Sequence, residues 1–325
     1  MKRKNIYFLC GILLAIVAIL VGGSFYMVNY ALVNPLKNRD VKSQMDEVRE
    51  QYPYLCPWLD SLQRSHALRD TFVVTSRGER QHAIFVRDPR ADGRTAVLVH
   101  GYHRMAVSML PIGSVYSRMG YNILLPDLHG HGQSDGDDIQ MGWKDRRDVM
   151  HWMTVAERMF RSSHGASRMV VHGVSMGAAT TMCVSGEHQP AYVRCFVEDC
   201  GYTSVWDEFH HQLKEQFGLP AFPLLYTADW LCQMKYGWNF KEASPLRQVA
   251  KSRQPMLFIH GDKDTYVPFS MLRPLYDAKT KPLSRQGKVE KEMWITAGTE
   301  HAESFKDYPE AYARHVKDFV GKYMR

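Results

Sequence analysis

Short apolar runs that alternate with helical segments through the middle of the chain limit its fold more than any other feature. The strand-like runs are residues 95–99, 122–125, 168–171, 192–197 and 256–259. Helical segments are predicted near residues 142–160, 176–185 and 270–279. Strands that are apolar on both faces and alternate with helices are typical of a parallel sheet covered on both sides. The sequence therefore predicts an α/β fold with a mostly parallel central sheet flanked by helices.

Further elements are predicted at both ends of this sheet. Residues 71–75 and 82–86 are strand-like and are separated by a Ser-Arg-Gly-Glu turn, which predicts a hairpin. A last strand at residues 291–295 and a helix at residues 308–323 close the chain. We therefore expect the sheet domain to cover residues 71–325.

The interval between Asp199 and Met256 interrupts the alternation of strands and helices. It is rich in large apolar side chains, namely Phe217, Phe222, Leu224, Leu225, Tyr226, Trp230, Leu231, Tyr236, Trp238 and Phe240. An insertion this long in a compact α/β domain usually has helices and a function of its own. We predict a helical cap over about residues 201–252.

The chain begins with an apolar segment, residues 6–28, in which Ser24 is the most polar residue. About 20 helical residues cross a hydrocarbon core of ~30 Å, so this segment is long enough to span a bilayer. A signal peptide has a shorter apolar region of ~7–15 residues and a small-residue cleavage site, which Val21-Gly22-Gly23 imitates. The length predicts an uncleaved membrane anchor over residues 1–34, with a cleaved signal peptide as the alternative.

Basic residues flank the anchor on both sides in equal number. They are Lys2, Arg3 and Lys4 before it and Lys37, Arg39 and Lys42 after it. Equal counts give no orientation by the positive-inside rule. A tight cluster on a very short tail is nevertheless typical of a signal anchor whose amino terminus is cytoplasmic, which places the rest of the chain outside the cytoplasm.

Residues 35–70 are predicted to form a juxtamembrane helical linker. The pattern of residues 41–65 is helical, and Pro53 and Pro57 interrupt it. Proline ends or restarts helices, so more than one short helix is expected here.

Charge and cysteine content exclude two classes of site. The net charge is +7, but the basic residues after the first four are scattered rather than grouped in a stripe with aromatic residues, so no nucleic-acid partner is predicted. The six cysteines form neither a C-x-x-C pair nor a zinc spacing. No metal site is predicted.

Ser175 lies in Gly173-Val174-Ser175-Met176-Gly177, between an apolar strand and a helical run. A G-x-S-x-G sequence in this context places its serine on a sharp strand-to-helix turn, where the hydroxyl is presented at the sheet edge. A serine hydroxyl is a weak nucleophile and needs a base that is itself oriented by an acid. The motif therefore predicts nucleophilic catalysis by Ser175.

The acid and the base are expected after the serine, in that order. Asp264 follows a strand in a G-x-x-D-x-x-V-P pattern, which favours it over Asp262 and over Asp199 at the end of the preceding strand. His301 follows the last strand. The competing histidines are His260, His210 and His211. Among these, His301 alone follows both the acid and the last strand, so Ser175, Asp264 and His301 are the predicted triad.

Two backbone N–H groups are needed where charge develops on a carbonyl oxygen. Met176, the residue after the serine, offers one. Tyr102, which follows His100-Gly101 at the end of a strand, offers the other. We predict an oxyanion hole formed by Tyr102 and Met176.

These residues resemble the α/β-hydrolase superfamily over residues 71–325. The sequence Asp-Leu-His-Gly-His-Gly-Gln-Ser from Asp127 looks like the D-x-R-G-H-G-x-S turn of that superfamily, with His129 in place of arginine. The resemblance implies that His129 and His131 are turn residues rather than a metal-binding pair.

A closer resemblance is to bacterial YqkD-like hydrolases, distant relatives of the prolyl oligopeptidase group. It is carried by Asp-Cys-Gly-Tyr-Thr-Ser from Asp199, Phe-Lys-Glu-Ala-Ser-Pro from Phe240 and Leu-Phe-Ile-His-Gly from Leu257. Members commonly carry an amino-terminal anchor. The resemblance implies a serine hydrolase that uses no cofactor.

The expected activity is the hydrolysis of small-molecule carboxylic esters, with butyryl to octanoyl esters preferred over acetyl esters because the cap is apolar. One alternative is a peptidase acting on aminoacyl or peptide amides, which needs acids to hold an amino group; Glu208, Glu215 and Asp229 are candidates. The other is a non-catalytic binding protein on a hydrolase scaffold. The lipid bilayer is the expected partner, and no feature specifies an oligomeric state.

Overall fold

The computed structural model describes residues 3–37, 40–75, 77–162, 166–284 and 287–325. Three residues used above lie outside the described residues: Lys2 and Arg39, which flank the predicted anchor, and Ser76 of the predicted hairpin turn. The side chains of Arg3 and Lys4 are not described either.

The described residues form one eight-stranded sheet. In chain order its strands are β1 (Leu68–Val74), β2 (Arg80–Val86), β3 (Arg94–Val99), β4 (Asn122–Pro126), β5 (Arg168–Val174), β6 (Val193–Asp199), β7 (Met256–Gly261) and β8 (Lys291–Thr296). Their spatial order is β1-β2-β4-β3-β5-β6-β7-β8. The pairs β1–β2 and β2–β4 are antiparallel, and every later pair is parallel. The predicted α/β fold with a mostly parallel sheet is confirmed.

Helices connect and cover these strands. They are α1 (Arg3–Leu32), α2 (Val41–Gln51), α3 (Cys56–Arg64), α4 (Leu110–Arg118), α5 (Asp145–Phe160), α6 (Met176–Ser185), α7 (Val205–Phe217), α8 (Leu224–Tyr236), α9 (Pro245–Val249), α10 (Leu272–Ala278), α11 (Ser304–Asp307) and α12 (Pro309–Tyr323). Short 3-10 helices occupy Pro53–Leu55, Ala106–Met109 and Phe269–Met271. The sequence pattern did not predict α4, and the helix expected near residues 270–279 is a 3-10 turn followed by α10.

The alternation of side chains along the central strands explains why both faces of the sheet are covered. In β3, Val97 and Val99 belong to one apolar core, and Ala96 and Leu98 belong to the other. All four are fully buried. Successive side chains of a strand point to opposite faces, so a strand that is apolar throughout requires helices on both sides.

The segment predicted as a linker packs against one of these cores. Met45 and Val48 of α2 and Leu59 and Leu62 of α3 are buried there. The sheet itself begins at Leu68, three residues before the predicted start of the sheet domain. Both helices of this segment, α2 and α3, therefore pack on the sheet domain.

The first helix, α1, contains a stretch, Asn5–Leu32, that is long and apolar enough to cross a membrane, with mean hydropathy 2.7. Residues 5–19 of this helix are all exposed. Its second half packs on the rest of the chain, because Ser24, Val28 and Leu32 are buried. The Ser24 hydroxyl donates to the carbonyl of Leu224 in α8 over 3.2 Å.

Candidate active site

Ser175 lies at the sharp turn between β5 and α6. Its φ of 58° and ψ of −121° are strained values for a residue with a side chain. The flanking glycines allow this turn, because a Cβ at Gly173 would collide with the carbonyl of Gly177, and a Cβ at Gly177 would collide with that of Val99. The N–H of Ser175 donates to the carbonyl of Asp199 over 2.8 Å, which fixes the turn against β6.

The structure brings Ser175, His301 and Asp264 together in one hydrogen-bonded series. Nε2 of His301 lies 2.8 Å from Oγ of Ser175. Nδ1 of the same ring lies 2.7 Å from Oδ2 of Asp264. An imidazole held between a hydroxyl and a carboxylate can take a proton from the first while the second stabilises its charged form.

Hydrogen bonds hold the Asp264 carboxylate from several directions. Oδ1 accepts from the N–H groups of Tyr266 and Val267 over 3.0 and 2.9 Å. Oδ2 lies 3.2 Å from Nε2 of His260, in addition to its contact with His301. Burial alone would raise the pKa of this carboxyl, but the hydrogen bonds from His260 and His301 outweigh burial and lower the pKa. The group is therefore a carboxylate at neutral pH.

The competing acids have other contacts. Asp199 accepts a hydrogen bond of 2.9 Å from the Tyr312 hydroxyl, and burial raises its pKa to about 6. Oδ1 of Asp262 accepts from the N–H of Gly298 over 2.7 Å. Of the three acids considered from the sequence, Asp264 is the one within hydrogen-bond distance of His301.

Two of the competing histidines contact backbone carbonyls instead of Ser175. Nε2 of His260 lies 3.0 Å from the carbonyl of Val267, and Nε2 of His211 lies 2.8 Å from that of Thr265. Both contacts are with the loop that carries Asp264. His260 therefore supports that loop, a role that its position one strand before His301 did not predict.

Tyr102 and Met176, predicted from the sequence to form an oxyanion hole, lie near Ser175. Met176 is the first residue of α6, so its N–H is among those that helix geometry leaves without an intrahelical acceptor. The residue before Tyr102 also lies close to Ser175, because a Cβ placed on Gly101 would be only 3.3 Å from Cβ of Ser175. Met176 thus follows Ser175 directly, and Tyr102 lies one residue from a close approach of the chain to Ser175.

Two cavities are lined in part by Ser175. The larger has a volume of about 1030 Å³ and is lined mainly by apolar side chains, including Leu224 and Leu225 of α8 and Met176. The smaller has a volume of about 390 Å³ and combines polar groups such as Gln44 and His301 with apolar ones such as Ile112 and Phe305. Arg104 lines both cavities. A substrate bound across Ser175 could place an apolar part in the first cavity and a polar part in the second.

The larger cavity has one wall that sequence reasoning missed. Tyr26, Met27, Tyr30 and Ala31 of α1 line it, opposite residues of the predicted cap. The helical spacing of buried positions at Ser24, Val28 and Leu32 could not be read from the sequence, because every face of this helix is apolar.

One group of side chains near the site has ligand types that metals use. The candidate ligand atoms of Cys200, Asp264 and His301 all lie within 4.8 Å of one another. Burial raises the pKa of the Cys200 thiol well above its usual value, whereas metals bind the thiolate. Asp264 and His301 are also hydrogen-bonded to each other, so the donor set fits a hydrogen-bonded site better than a metal centre.

His129, which stands where the superfamily turn has arginine, lies close to two acidic side chains. Nε2 of His129 lies 3.2 Å from Asp138, and Nδ1 lies 3.4 Å from Glu79. Nδ1 of His131 contacts the carbonyl of His129 over 2.8 Å. The two histidines thus have separate partners within the turn.

The sequence pattern of the prolyl oligopeptidase family matches residues 112–325. Among curated proteins, uncharacterized protein YqkD of Bacillus subtilis is 28% identical over 232 residues, which are 71% of this chain and 72% of that protein. Uncharacterized protein YfhR of Escherichia coli is 23% identical, over 78% of this chain and 76% of that protein. The alpha/beta hydrolase domain-containing protein 17B of Homo sapiens is 22% identical, over 82% and 79%.

Solved structures share the fold. The esterase Pf2001 of Pyrococcus furiosus superimposes with a TM-score of 0.62 at 22% identity, over 79% of this chain and 93% of that one. The acylaminoacyl peptidase of Pyrococcus horikoshii gives a TM-score of 0.55 at 16% identity, over 78% and 41%. At these identities the similarity establishes the α/β-hydrolase fold.

Proposed function

The chain belongs to the prolyl oligopeptidase family and is a hydrolase of the α/β-hydrolase fold, and from that premise we propose that it is a serine hydrolase that cleaves carboxylic esters. The observation that carries the proposal is the series Ser175–His301–Asp264, with contacts of 2.8 and 2.7 Å. Strain at Ser175 and the hydrogen bonds that hold Asp264 support it, because functional sites are where such strain and pre-organisation are found.

The first half of the reaction acylates Ser175. Its hydroxyl donates to Nε2 of His301, which takes the proton as Oγ attacks the ester carbonyl carbon. Asp264 accepts from Nδ1 and stabilises the imidazolium that forms. The N–H groups of Tyr102 and Met176 stabilise the negative charge on the carbonyl oxygen. His301 then protonates the departing alcohol.

The second half regenerates the enzyme. Water donates a proton to His301 as it attacks the acyl carbon. The same oxyanion hole stabilises the negative charge that develops on the carbonyl oxygen. Collapse of this intermediate releases the carboxylic acid and returns the proton to Oγ of Ser175. The net change is ester plus water to acid plus alcohol, and no step requires a group from outside the chain and its substrates.

An ester substrate fits the cavities better than an aminoacyl amide. Of the three acids considered for holding an amino group, Glu208 lines the larger cavity, and burial raises its pKa to about 8. A carboxyl with this pKa is mostly neutral at pH 7. Asp229 accepts from the N–H of Phe240 over 2.6 Å, and Glu215 is exposed. The charged pair Arg104 and Glu47, which also lines the larger cavity, is already joined by an ion pair of 2.9 Å, so none of the three acids supplies a free carboxylate for a substrate amino group there.

We also propose that α1 anchors the protein in a membrane, with the hydrolase domain outside the cytoplasm. The apolar length of Asn5–Leu32 supports the anchor. The basic residues that precede it support the orientation. The yeast relative named uncharacterized membrane protein YNL320W is 23% identical over 63% of this chain and 66% of that protein, which favours membrane association.

Active-site labelling tests the proposed nucleophile. A fluorophosphonate should label the native protein and not Ser175→Ala, and this substitution should lower ester turnover by on the order of 10⁴ or more because members of a triad act as a unit. Ser270→Ala, at an exposed serine, is the control and should be labelled like the native protein. Full labelling of Ser175→Ala would remove this serine as the nucleophile. Absence of any labelling or turnover in the native protein would favour a non-catalytic binding protein.

A further inference from the structure

The second half of α1 is part of the wall of the hydrolase domain. Tyr30 donates to Oε1 of Gln216 over 3.1 Å, and Lys235 donates to Oδ1 of Asn29 over 3.0 Å. With the contact between Ser24 and Leu224, these bonds fasten α1 to the cap helices α7 and α8. The cap therefore stands at a fixed position along the proposed membrane helix.

The length of the exposed half of α1 determines how close the cap lies to the bilayer. Residues 5–19 are exposed on all sides, and 15 residues at ~1.5 Å each extend only ~22 Å. A hydrocarbon core is ~30 Å thick, and tilting the helix would shorten its reach further. The bilayer must therefore extend to the turns of α1 that pack against the cap, around Gly23 and Ser24.

The cap helix α8, which meets α1 at Leu224, carries an exposed apolar surface. Phe222, just before α8, and Tyr226, Trp230 and Met234 on it recur every four residues, which places them on one face of the helix. All four are exposed, Phe222 by 73% and Met234 by 68%. Tryptophan and tyrosine are enriched where proteins meet the membrane–water interface. We call these four residues the α8 apolar face.

The larger cavity lies between the same two helices. Tyr26, Met27 and Tyr30 of α1 form one side of it, and Leu224, Leu225 and Ala228 of α8 belong to another. Ser175 and Met176 line it as well. A volume of about 1030 Å³ is at the upper end of the ~300–1,000 Å³ that is usual for small-molecule sites. The cavity thus connects the proposed nucleophile with the level at which the bilayer meets the protein.

We propose that the substrate is a long-chain acyl ester of a bilayer lipid, which enters the larger cavity directly from the membrane between α1 and α8. The inference rests on the ester hydrolysis and on the membrane anchor proposed above. The acyl chain would occupy the larger, apolar cavity, and the polar alcohol would lie toward the smaller cavity near Gln44. Acyl transfer to Ser175 releases the alcohol, and water then releases the fatty acid.

The test uses the full-length protein in phosphatidylcholine vesicles that contain dioleoylglycerol, and compares oleate release with hydrolysis of soluble nitrophenyl butyrate. The double substitution Trp230→Ser, Met234→Ser removes two residues of the α8 apolar face. It should lower the ratio of the oleate-release rate to the nitrophenyl butyrate rate at least tenfold. The matched control replaces two exposed apolar residues of the sheet, Phe72→Ser and Met293→Ser, and should keep the native ratio. If the α8 double variant and the sheet control have the same ratio of lipid to soluble-ester rates, the proposed contact of α8 with the membrane is wrong.

A second pair of variants tests the route through the cavity. Met27→Trp adds bulk to the cavity wall contributed by α1 and should lower the lipid rate more than the butyrate rate. Ile19→Trp, on the exposed half of the same helix, is its control. If the native protein cleaves nitrophenyl butyrate but releases no oleate, the inference is wrong and the proposed function stands. If it cleaves neither and a fluorophosphonate does not label Ser175, both are wrong.

Discussion

The hydroxyl of Tyr102 donates a hydrogen bond of 2.7 Å to the carbonyl oxygen of Ala31, in the last turn of α1. Tyr102 also stacks on His103, with ring centroids 3.8 Å apart. The residue proposed to stabilise the oxyanion through its N–H is thus fastened to the proposed membrane helix through its side chain. The position of the anchor and the geometry of the active site are linked by this contact.

The first prediction follows from this hydrogen bond. Tyr102→Phe keeps the backbone N–H but leaves the carbonyl of Ala31 without this donor, so the oxyanion loop is held less firmly. A hydrogen bond contributes roughly 0.5–1.5 kcal/mol, and ~1.4 kcal/mol corresponds to a tenfold rate change. We expect kcat/KM for nitrophenyl butyrate to fall by between twofold and tenfold, as a rough range. Tyr7→Phe, at an exposed tyrosine of α1, is the control and should leave kcat/KM unchanged. Equal kcat/KM values for Tyr102→Phe and Tyr7→Phe would show that the hydrogen bond to α1 does not affect the active site.

The second prediction distinguishes the two acids near Ser175. Asp264→Asn should lower turnover by at least ~10³, because an amide favours the wrong tautomer of His301. Asp199→Asn should have a much smaller effect, because Asp199 bonds to Tyr312 rather than to His301. Steady-state kinetics on one ester decides between them. A large loss in Asp199→Asn with a nearly normal Asp264→Asn would reverse the assignment.

The third prediction concerns Glu208 and pH. Burial raises the pKa of this carboxyl from 4.5 to about 8, so the folded state holds the proton more strongly than the unfolded chain. The stabilisation this gives is complete below about pH 4.5 and is lost as the pH rises to about 8. Glu208→Gln mimics the protonated acid, so the variant does not lose this stabilisation as the pH rises. Its melting temperature relative to the native protein should therefore be higher at pH 8 than at pH 5.

The matched control for this prediction is Glu215→Gln, at an exposed glutamate of the same helix α7. It should show no such difference between the two pH values. If Glu208→Gln has the same relative melting temperature at both, the carboxyl is ionised in the folded state at neutral pH, and the aminoacyl-amide alternative gains support.

The sheet could be predicted from the sequence because local pattern and tertiary environment agree there. Each central strand is apolar on both faces, as in β3, where Ala96 to Val99 are all buried. The bounds of α6 were also predictable, since a glycine-flanked serine leaves the chain few conformations other than a strand-to-helix turn. The residues that meet at the site come from loops after β5, β7 and β8, whose order in chain and space is fixed by the fold.

Two features could not be predicted for physical reasons. No helix was predicted over Leu110–Arg118, where Pro111 and Gly113 both disfavour one. Pro111 lies in the first turn of α4, however, where proline is tolerated. The packing of α1 on the cap depends on Ser24 and Gly23, which read as minor interruptions of an apolar segment. Their small size allows close approach, as Cδ1 of Leu224 lies 3.4 Å from a Cβ placed at Gly23. Neither a proline in the first turn of a helix nor a small residue at a helix contact produces a periodic pattern in the sequence.

The fourth prediction concerns the membrane. Full-length protein should stay in membranes washed with carbonate, because α1 is retained and spans the bilayer. Protease added to vesicles with the outer face exposed should digest the hydrolase domain. A mature protein that starts near Ser24 would establish a cleaved signal peptide. Protection from protease until the vesicles are opened would reverse the orientation.

The last prediction concerns acyl-chain length. Each buried methylene contributes about 0.8 kcal/mol to binding, or roughly fourfold, and the larger cavity provides apolar surface from Leu224, Leu225 and Ala228. An acetyl group is too short to use that surface, so butyryl to octanoyl esters should exceed acetyl esters by on the order of tenfold or more in kcat/KM. Nitrophenyl acetate, butyrate, octanoate and palmitate in one detergent measure this directly. Ala228→Leu, which narrows the cavity, should reduce the value for octanoate more than that for acetate. A maximum at acetate, or activity on aminoacyl amides alone, would contradict an acyl site in this cavity.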